Sequence, residues 1–106
     1  MDSPVFTALA DPMRRQLVVN LAQNSPKTAT QLAREYPITR QGILKHLQIL
    51  KDAGLVNVSQ KGREKRFTFS PEPLNEVDEW IQEIGAIWDQ RLLRLKTMLE
   101  NEKTEE

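Results

Sequence analysis

Residues 29–54 read ATQLAREYPITRQGILKHLQILKDAG, and the reading of this stretch decides the fold. Ala29, Leu32 and Ala33, with Tyr36 at the end, recur at helical spacing, which predicts a short helix over about Ala29–Tyr36 stopped by Pro37. Only Pro37, Ile38 and Thr39 intervene before a second helical pattern, for which Thr39 is a good N-cap and Gly54 the terminating glycine after Ala53. Two helices joined across so tight a turn form a helix-turn-helix. In the second helix Ile43, Leu47 and Leu50 share one face, while Gln41, Lys45, Gln48 and Asp52 make a polar stripe opposite. The apolar stripe docks and the polar stripe is offered outward.

Downstream of Gly54 the period changes from helical to two. Leu55, Val56 and Val58 alternate with Asn57, Ser59 and Gln60, and Lys61-Gly62-Arg63-Glu64 turns the chain into Arg66-Phe67-Thr68-Phe69, a β-hairpin with a basic tip. Ser70-Pro71-Glu72-Pro73 ends it, and from Leu74 a helical pattern runs to about Glu100. Val77, Ile81, Ile84, Trp88, Leu92, Leu95 and Leu99 form its main stripe, which Trp80 and Ile87 widen; the polar residues 101–106 are expected to fray. Upstream, Val5, Phe6 and Leu9 give a short apolar face after Ser3-Pro4. Asp11-Pro12 then opens a helix over about Pro12–Ala22, with Met13, Leu17, Val18 and Leu21 on one side and Gln23-Asn24-Ser25-Pro26 at its end. The order is helix, helix, helix-turn-helix, hairpin and long C-terminal helix, mainly α with a small β-hairpin wing. A hairpin directly after the second helix of the turn motif makes this a winged helix-turn-helix, expected as one domain over residues 1–106.

At 106 residues the chain has room for one core. Mean hydropathy is −0.55, 28% of residues are charged, and no apolar run approaches the roughly 20 residues of a membrane span. Met1-Asp2-Ser3-Pro4 lacks the basic and apolar regions of an export signal, so a cytoplasmic location is expected. Zero cysteines exclude disulfides and thiolate metal sites. Formal net charge is zero but unevenly placed. Residues 1–73 hold eleven Lys/Arg against six Asp/Glu, whereas residues 74–106 hold four against nine. From Thr39 to Arg66 seven cations face two carboxylates, which is where an anionic partner would bind.

Double-stranded DNA is the anion this arrangement suits. An exposed helix start turns backbone N–H groups and a positive dipole end toward phosphates, and its first turns carry side chains able to bond base edges. Gln41 and Lys45 are best placed for the major groove, Gln pairing with adenine and Lys with guanine, while Thr39 and Arg40 suit phosphate. The wing residues Lys61, Gly62, Arg63, Lys65 and Arg66 suit the flanking minor groove or backbone, where charge matters more than identity. Plainer readings stay open: a polar stripe can simply face water, and a charged hairpin can simply protect a strand edge. Catalysis fares worst, with no cysteine, one histidine and glycines scattered at 42, 54, 62 and 85. No catalytic residue and no cofactor is expected.

Leu9-Ala10-Asp11-Pro12-Met13-Arg14-Arg15-Gln16-Leu17, Gln31-Leu32-Ala33 and the run from Thr39 to Val56 resemble, together, the ArsR family of transcriptional regulators over about residues 5–70. The resemblance implies a dimer that binds an inverted-repeat operator and represses transcription. It favours a DNA contact for His46, which as a lone histidine at the margin of the buried face reads equally as a boundary residue. Leu44 departs from the small polar residue common at this point of the family's motif, so no base contact carries over to it. Family members that sense metals use paired cysteines before the turn, or His and carboxylate clusters on the last helix. The cysteine motif is missing, and Asp78, Glu79, Glu83 and Asp89 have no histidine beside them, so no metal site is expected. A small-molecule or protein effector stays open, unidentified by any residue.

The last helix, roughly 40 Å long at about 1.5 Å per residue, is too long for this small body to cover. Residues 1–10 and 74–100 are therefore expected to be dimerisation helices, with Val5, Phe6 and Leu9 beside Trp80, Ile84, Ile87 and Trp88. An isologous contact would set two reading helices roughly 34 Å apart, one turn of DNA. A small-ligand pocket is the alternative for the tryptophans. A second function class is a winged-helix protein-interaction module working through the acidic, aromatic last helix. Such a module has no need of seven cations against two at the reading head.

Overall fold

The computed structural model describes residues 3–104, with side chains to Asn101. Its elements are α1 (Pro4–Leu9), α2 (Pro12–Gln23), α3 (Ala29–Glu35), α4 (Arg40–Asp52), β1 (Val56–Lys61), β2 (Glu64–Phe69) and α5 (Leu74–Thr104). They fall into two compact units, Met1–Asn75 and Glu76–Glu106.

In the first unit the helix starts are fixed by side-chain oxygens that accept from otherwise unpaired backbone N–H groups. Ser3 Oγ accepts from Val5 N at 3.2 Å and Asp11 Oδ1 from Met13 N at 2.7 Å, each just before a proline that needs no partner for its nitrogen. Thr28 and Gln31 close a capping box on α3, and Thr39 Oγ1 accepts from Gly42 N at 3.1 Å on α4. The carbonyl end of α1 is served from α2. Arg14 Nε donates to Ala8 O at 2.7 Å and Arg15 Nη1 to Leu9 O at 2.6 Å.

α4 lies at the centre, in contact with α1, α2, α3 and β1. Ile43, Leu47 and Leu50 are wholly buried, as are Leu17 and Leu21 of α2, Leu32 of α3, Leu55 and Val56. Gly54 ends α4 with φ +79°; its N–H donates to Lys51 O and that of Leu55 to Leu50 O, both at 2.9 Å. This is a Schellman stop, and Leu50 and Leu55, the two positions it ties together, are both wholly buried. Leu55 thus belongs to the turn rather than to the strand alternation, which begins at Val56.

β1 and β2 pair antiparallel from Val56↔Phe69 to Lys61↔Glu64 around a two-residue loop, Gly62-Arg63. Gly62 has φ +64° and Arg63 a negative φ, the pattern of a type II′ hairpin turn. A third segment joins the sheet edge. Lys27 N donates to Phe67 O at 3.0 Å and Phe67 N to Lys27 O at 2.8 Å, while Phe69 N donates to Ser25 Oγ at 3.1 Å. Lys27 also reaches back to the helices: its Nζ donates to Asn20 Oδ1 at 2.7 Å and to Glu35 Oε2 at 3.0 Å. The Lys27 hydrogen bond, then that of Asn20, holds the Glu35 carboxyl below its ordinary range, against a smaller cost of desolvation.

Two helix ends differ from expectation. α3 stops at Glu35 instead of Tyr36, because Pro37 pushes the residue before it into extended backbone, here φ −132° and ψ 149°. α2 runs on one residue to Gln23.

In the second unit α5 continues to Thr104 instead of ending near Glu100. Residues 101–104 contain no glycine or proline, and adding a residue to an existing helix is easy once the nucleus is formed. The expected fraying of residues 105 and 106 lies outside the described residues. The 31-residue helix is about 46 Å long. Its apolar stripe is open, with Trp80 50% and Trp88 54% exposed, Ile81, Ile87, Leu92, Leu95 and Leu99 similarly so, and Val77 and Ile84 half-buried. The Arg91 guanidinium stands 5.6 Å from the centroid of the Trp88 ring. Among the described residues no helix is long and apolar enough to cross a membrane.

Two stability predictions follow from these contacts. Gly54→Ala forces an L side chain into left-handed backbone with its Cβ 3.3 Å from Pro73, and is expected to lower unfolding free energy by about 1–2 kcal/mol in urea titrations. A folded-state carboxyl held low stabilises above its unfolded pKa, and that contribution disappears as pH falls through the folded value. Wild type should therefore lose more of its urea midpoint than Glu35→Gln on going from pH 7 to below the carboxylate range; equal losses would show that Glu35 is not linked to folding.

Candidate nucleic-acid interface

The buried face of α4 dictates its opposite. With Ile43, Leu47 and Leu50 inward, Gln41, Lys45, Gln48 and Asp52 stand exposed on the far side, and Gln48 Nε2 donates to Asp52 Oδ1 at 2.9 Å. Thr39 and Arg40 are exposed at the helix start. The close approach of the turn needs Gly42, where a Cβ would sit 2.5 Å from Ile38 Cγ2. Arg40 Nε donates to Thr30 Oγ1 of α3 at 3.2 Å, which steadies the guanidinium and leaves its terminal nitrogens to face outward partners.

Beside this face lies a concavity of about 760 Å³ between α3, the first turns of α4 and β2. It brings Arg40 together with Arg63, Lys65 and Arg66 of the wing, and adds two cations absent from the expected set, Lys27 and Arg34. Glu64 is the single carboxylate in its lining and pairs with Arg66 at 3.4 Å. Lys27 is committed to Glu35. Arg34, Arg63 and Lys65 have no hydrogen-bond or ion-pair partner among the described residues, and Arg40 has only the neutral Thr30. Uncompensated cations gathered round one hollow repel each other and favour an anion between them.

Gln41, Lys45, His46, Lys61 and Gly62 are not part of that lining. Lys61 and Gly62 are exposed at the wing tip, where Gln60 Nε2 donates to Gly62 O at 3.3 Å and braces the turn. His46 is half-buried, and its Nδ1 is enclosed without a hydrogen-bond partner. The ring adds a minor attraction to the Asp11 carboxylate, which is lowered first by the Arg14 N–H and opposed by desolvation. One edge of His46 therefore faces the body. Of the α1 residues Val5 is only 5% exposed, its side chain already covered within the unit, while Phe6 and Leu9 are half-buried. Trp80, Ile87 and Trp88 are exposed on α5, and Ile84 is half-buried. No cluster of three or more His, Cys, Asp or Glu side chains suited to a metal ion occurs among the described residues.

Arg34 was missed by sequence reasoning because the basic excess was counted from Thr39 onward, beyond the end of α3. The signal was available: Arg34 lies one turn beyond Thr30, on the side of α3 that Arg40 touches. Lys27 carried no such signal, since its neighbours come from three separate elements.

Comparison with known proteins agrees with this geometry. Residues 9–59 match a helix-turn-helix domain family. The HTH-type transcriptional regulator YuzN of Bacillus subtilis (strain 168) is 38% identical over 85 residues, 74% of this chain and 92% of that protein. The transcriptional repressor SdpR of the same organism is 30% identical over 77 residues, 73% and 84% of the two chains. Among solved structures, an ArsR-like transcriptional regulator from Rhodococcus sp. RHA1 superposes with a TM-score of 0.78 at 37% identity, covering 92% of this chain and 89% of its own. With α4 seated in a helix-turn-helix, a two-stranded wing after it and these relatives over most of its length, the chain belongs to the ArsR family of winged helix-turn-helix transcriptional regulators.

Proposed function

We propose that this protein is a homodimeric repressor that binds an inverted-repeat operator in double-stranded DNA, working in the cytoplasm as one module over residues 1–106. The observation that carries the reading is the exposed stripe of α4 beside a hollow of uncompensated cations. Gln41 and Lys45 read base edges in the major groove, His46 supports them from the margin, and Thr39 and Arg40 hold phosphate. Lys61, Gly62, Arg63, Lys65 and Arg66 follow the backbone or minor groove beside them. Repression is supported by the likeness to SdpR, named a transcriptional repressor.

The exposed stripe of α5 supports a second copy. Fully burying a leucine, isoleucine or similar side chain stabilises by about 1.5–3 kcal/mol, and seven or more such residues lie open along this helix. A self-complementary pairing of residues 74–100 with residues 1–10, which supply Val5, Phe6 and Leu9, would cover them by twofold symmetry. Trp80, Ile84, Ile87 and Trp88 form the middle of that contact. Relief of binding by a small molecule or a protein is compatible with this scheme, which needs no metal and no cofactor.

Selection of bound duplexes from a random pool at about 150 mM salt tests the reading directly. Enrichment of an inverted repeat with half-sites about ten base pairs apart supports it. Binding without enrichment, lost at moderate salt, would leave charge attraction alone and favour a protein-interaction module. On the selected operator Gln41→Ala is expected to cost about 1–3 kcal/mol and relax preference at one position, whereas Lys61→Ala and Arg63→Ala should weaken all duplexes alike and each reduce the salt slope by about one. Identical effects of the three on every sequence would overturn the division of roles. Trp88→Glu should turn dimer into monomer in sedimentation and remove operator binding with it. A monomeric variant that keeps full affinity for the palindrome would refute the dimer.

A further inference from the structure

Leu44 is the residue of the reading helix that this scheme leaves without a task. It follows Arg40 by four positions and Gln41 by three, and precedes Gln48 by four, so its immediate neighbours along the helix surface are the side chains offered to DNA. Unlike them it is apolar. Ile43, Leu47 and Leu50 are the wholly buried side chains of this helix, and Leu44 stands outside that set, half-buried. Its uncovered part lines the cationic hollow with Arg34, Arg40 and Lys65.

With phosphates held by those cations, a base edge brought over Leu44 would remove its water. The partner it then meets decides whether that is favourable. A polar base edge pressed against leucine loses its hydrogen bonds to water and gains none, which is costly. Among the groups displayed in the major groove, the C5 methyl of thymine is the apolar one. We propose that Leu44 is a specificity-determining residue that selects a thymine in each half-site through its 5-methyl group, next to the base read by Gln41. The inference rests on the DNA-binding reading above.

The test replaces each thymine of the selected operator in turn by deoxyuridine, which removes the methyl and leaves every hydrogen-bonding group in place. Wild-type protein is expected to lose affinity about 3–5-fold at one position of each half-site, the magnitude of taking one methyl out of water, and about 10–20-fold when both are replaced. Leu44→Ala should bind thymine and uracil operators equally, and Leu44→Met should restore most of the difference. The proposal is overturned if wild type tolerates uracil within twofold at every thymine, or if the loss at the sensitive thymine is undiminished in Leu44→Ala. In either case the wild-type protein still selects its operator and the DNA-binding reading stands; if wild type selects no duplex at all, both fail together.

Discussion

The burial of Ile43, Leu47 and Leu50 against the surrounding helices is the contact on which the rest of the molecule depends. A helix fixed by three side chains on one face has no freedom to rotate about its axis, so the side chains on its other face point where they do by consequence. Both ends are pinned as well. Thr39 caps the start, and Gly54 stops the helix with a backbone conformation that other residues adopt only at a cost. Because Leu55 is drawn onto Leu50 by that same stop, the direction of β1, and with it the position of the wing, follows from where α4 ends. Reading face and wing are thus set by one buried contact and one glycine.

Charge is allotted in two ways within the first unit. Arg14, Arg15 and Lys27 are structural: they serve the carbonyl end of α1 and tie the sheet edge to α2 and α3. Arg34, Arg63 and Lys65 have no such employment, Arg40 bonds only the neutral Thr30, and the four surround one hollow. A formal net charge of zero is therefore compatible with binding a polyanion, because what attracts DNA is the local excess of unpaired cations and not the total. Most carboxylates that balance the sum belong to residues 76–106, the second compact unit.

Much of this was legible in the sequence, since its determinants are local. The stripes of α4 and α2, the caps Asp11 and Thr39, the stop at Gly54 and the presence of a wing turn at Gly62-Arg63 each depend on residues within a few positions of one another, although by sequence Lys61 and Glu64 read as part of that turn and the structure pairs them in the strands. What the sequence concealed depends on residues far apart. The pairing of Lys27 with Phe67 joins segments 40 residues apart, and a stretch containing Ser25-Pro26 reads as a loop, not as a strand partner. The enclosed Nδ1 of His46 likewise depends on how α4 packs, which no spacing reveals. Tyr36 is a different case. The rule that moves it out of the helix is local and was available in Pro37, but the apolar period carried the reading one residue too far.

Under the proposed dimer the weight of specificity falls on symmetry as much as on contacts. In the proposed complex one reading helix presents Gln41, Lys45 and a few neighbours to the groove, and a handful of base contacts worth about 1–3 kcal/mol each cannot separate one site from the multitude of similar sites in a genome. Duplicating the same face at a fixed spacing doubles the discriminating free energy without a new residue, provided the spacing is rigid. A helix about 46 Å long with an apolar stripe is well suited to set that spacing, since pairing along many residues resists bending more than a short contact would. In the proposed dimer, the same stripe that would be a liability on a lone chain becomes the device that makes a small reading head selective.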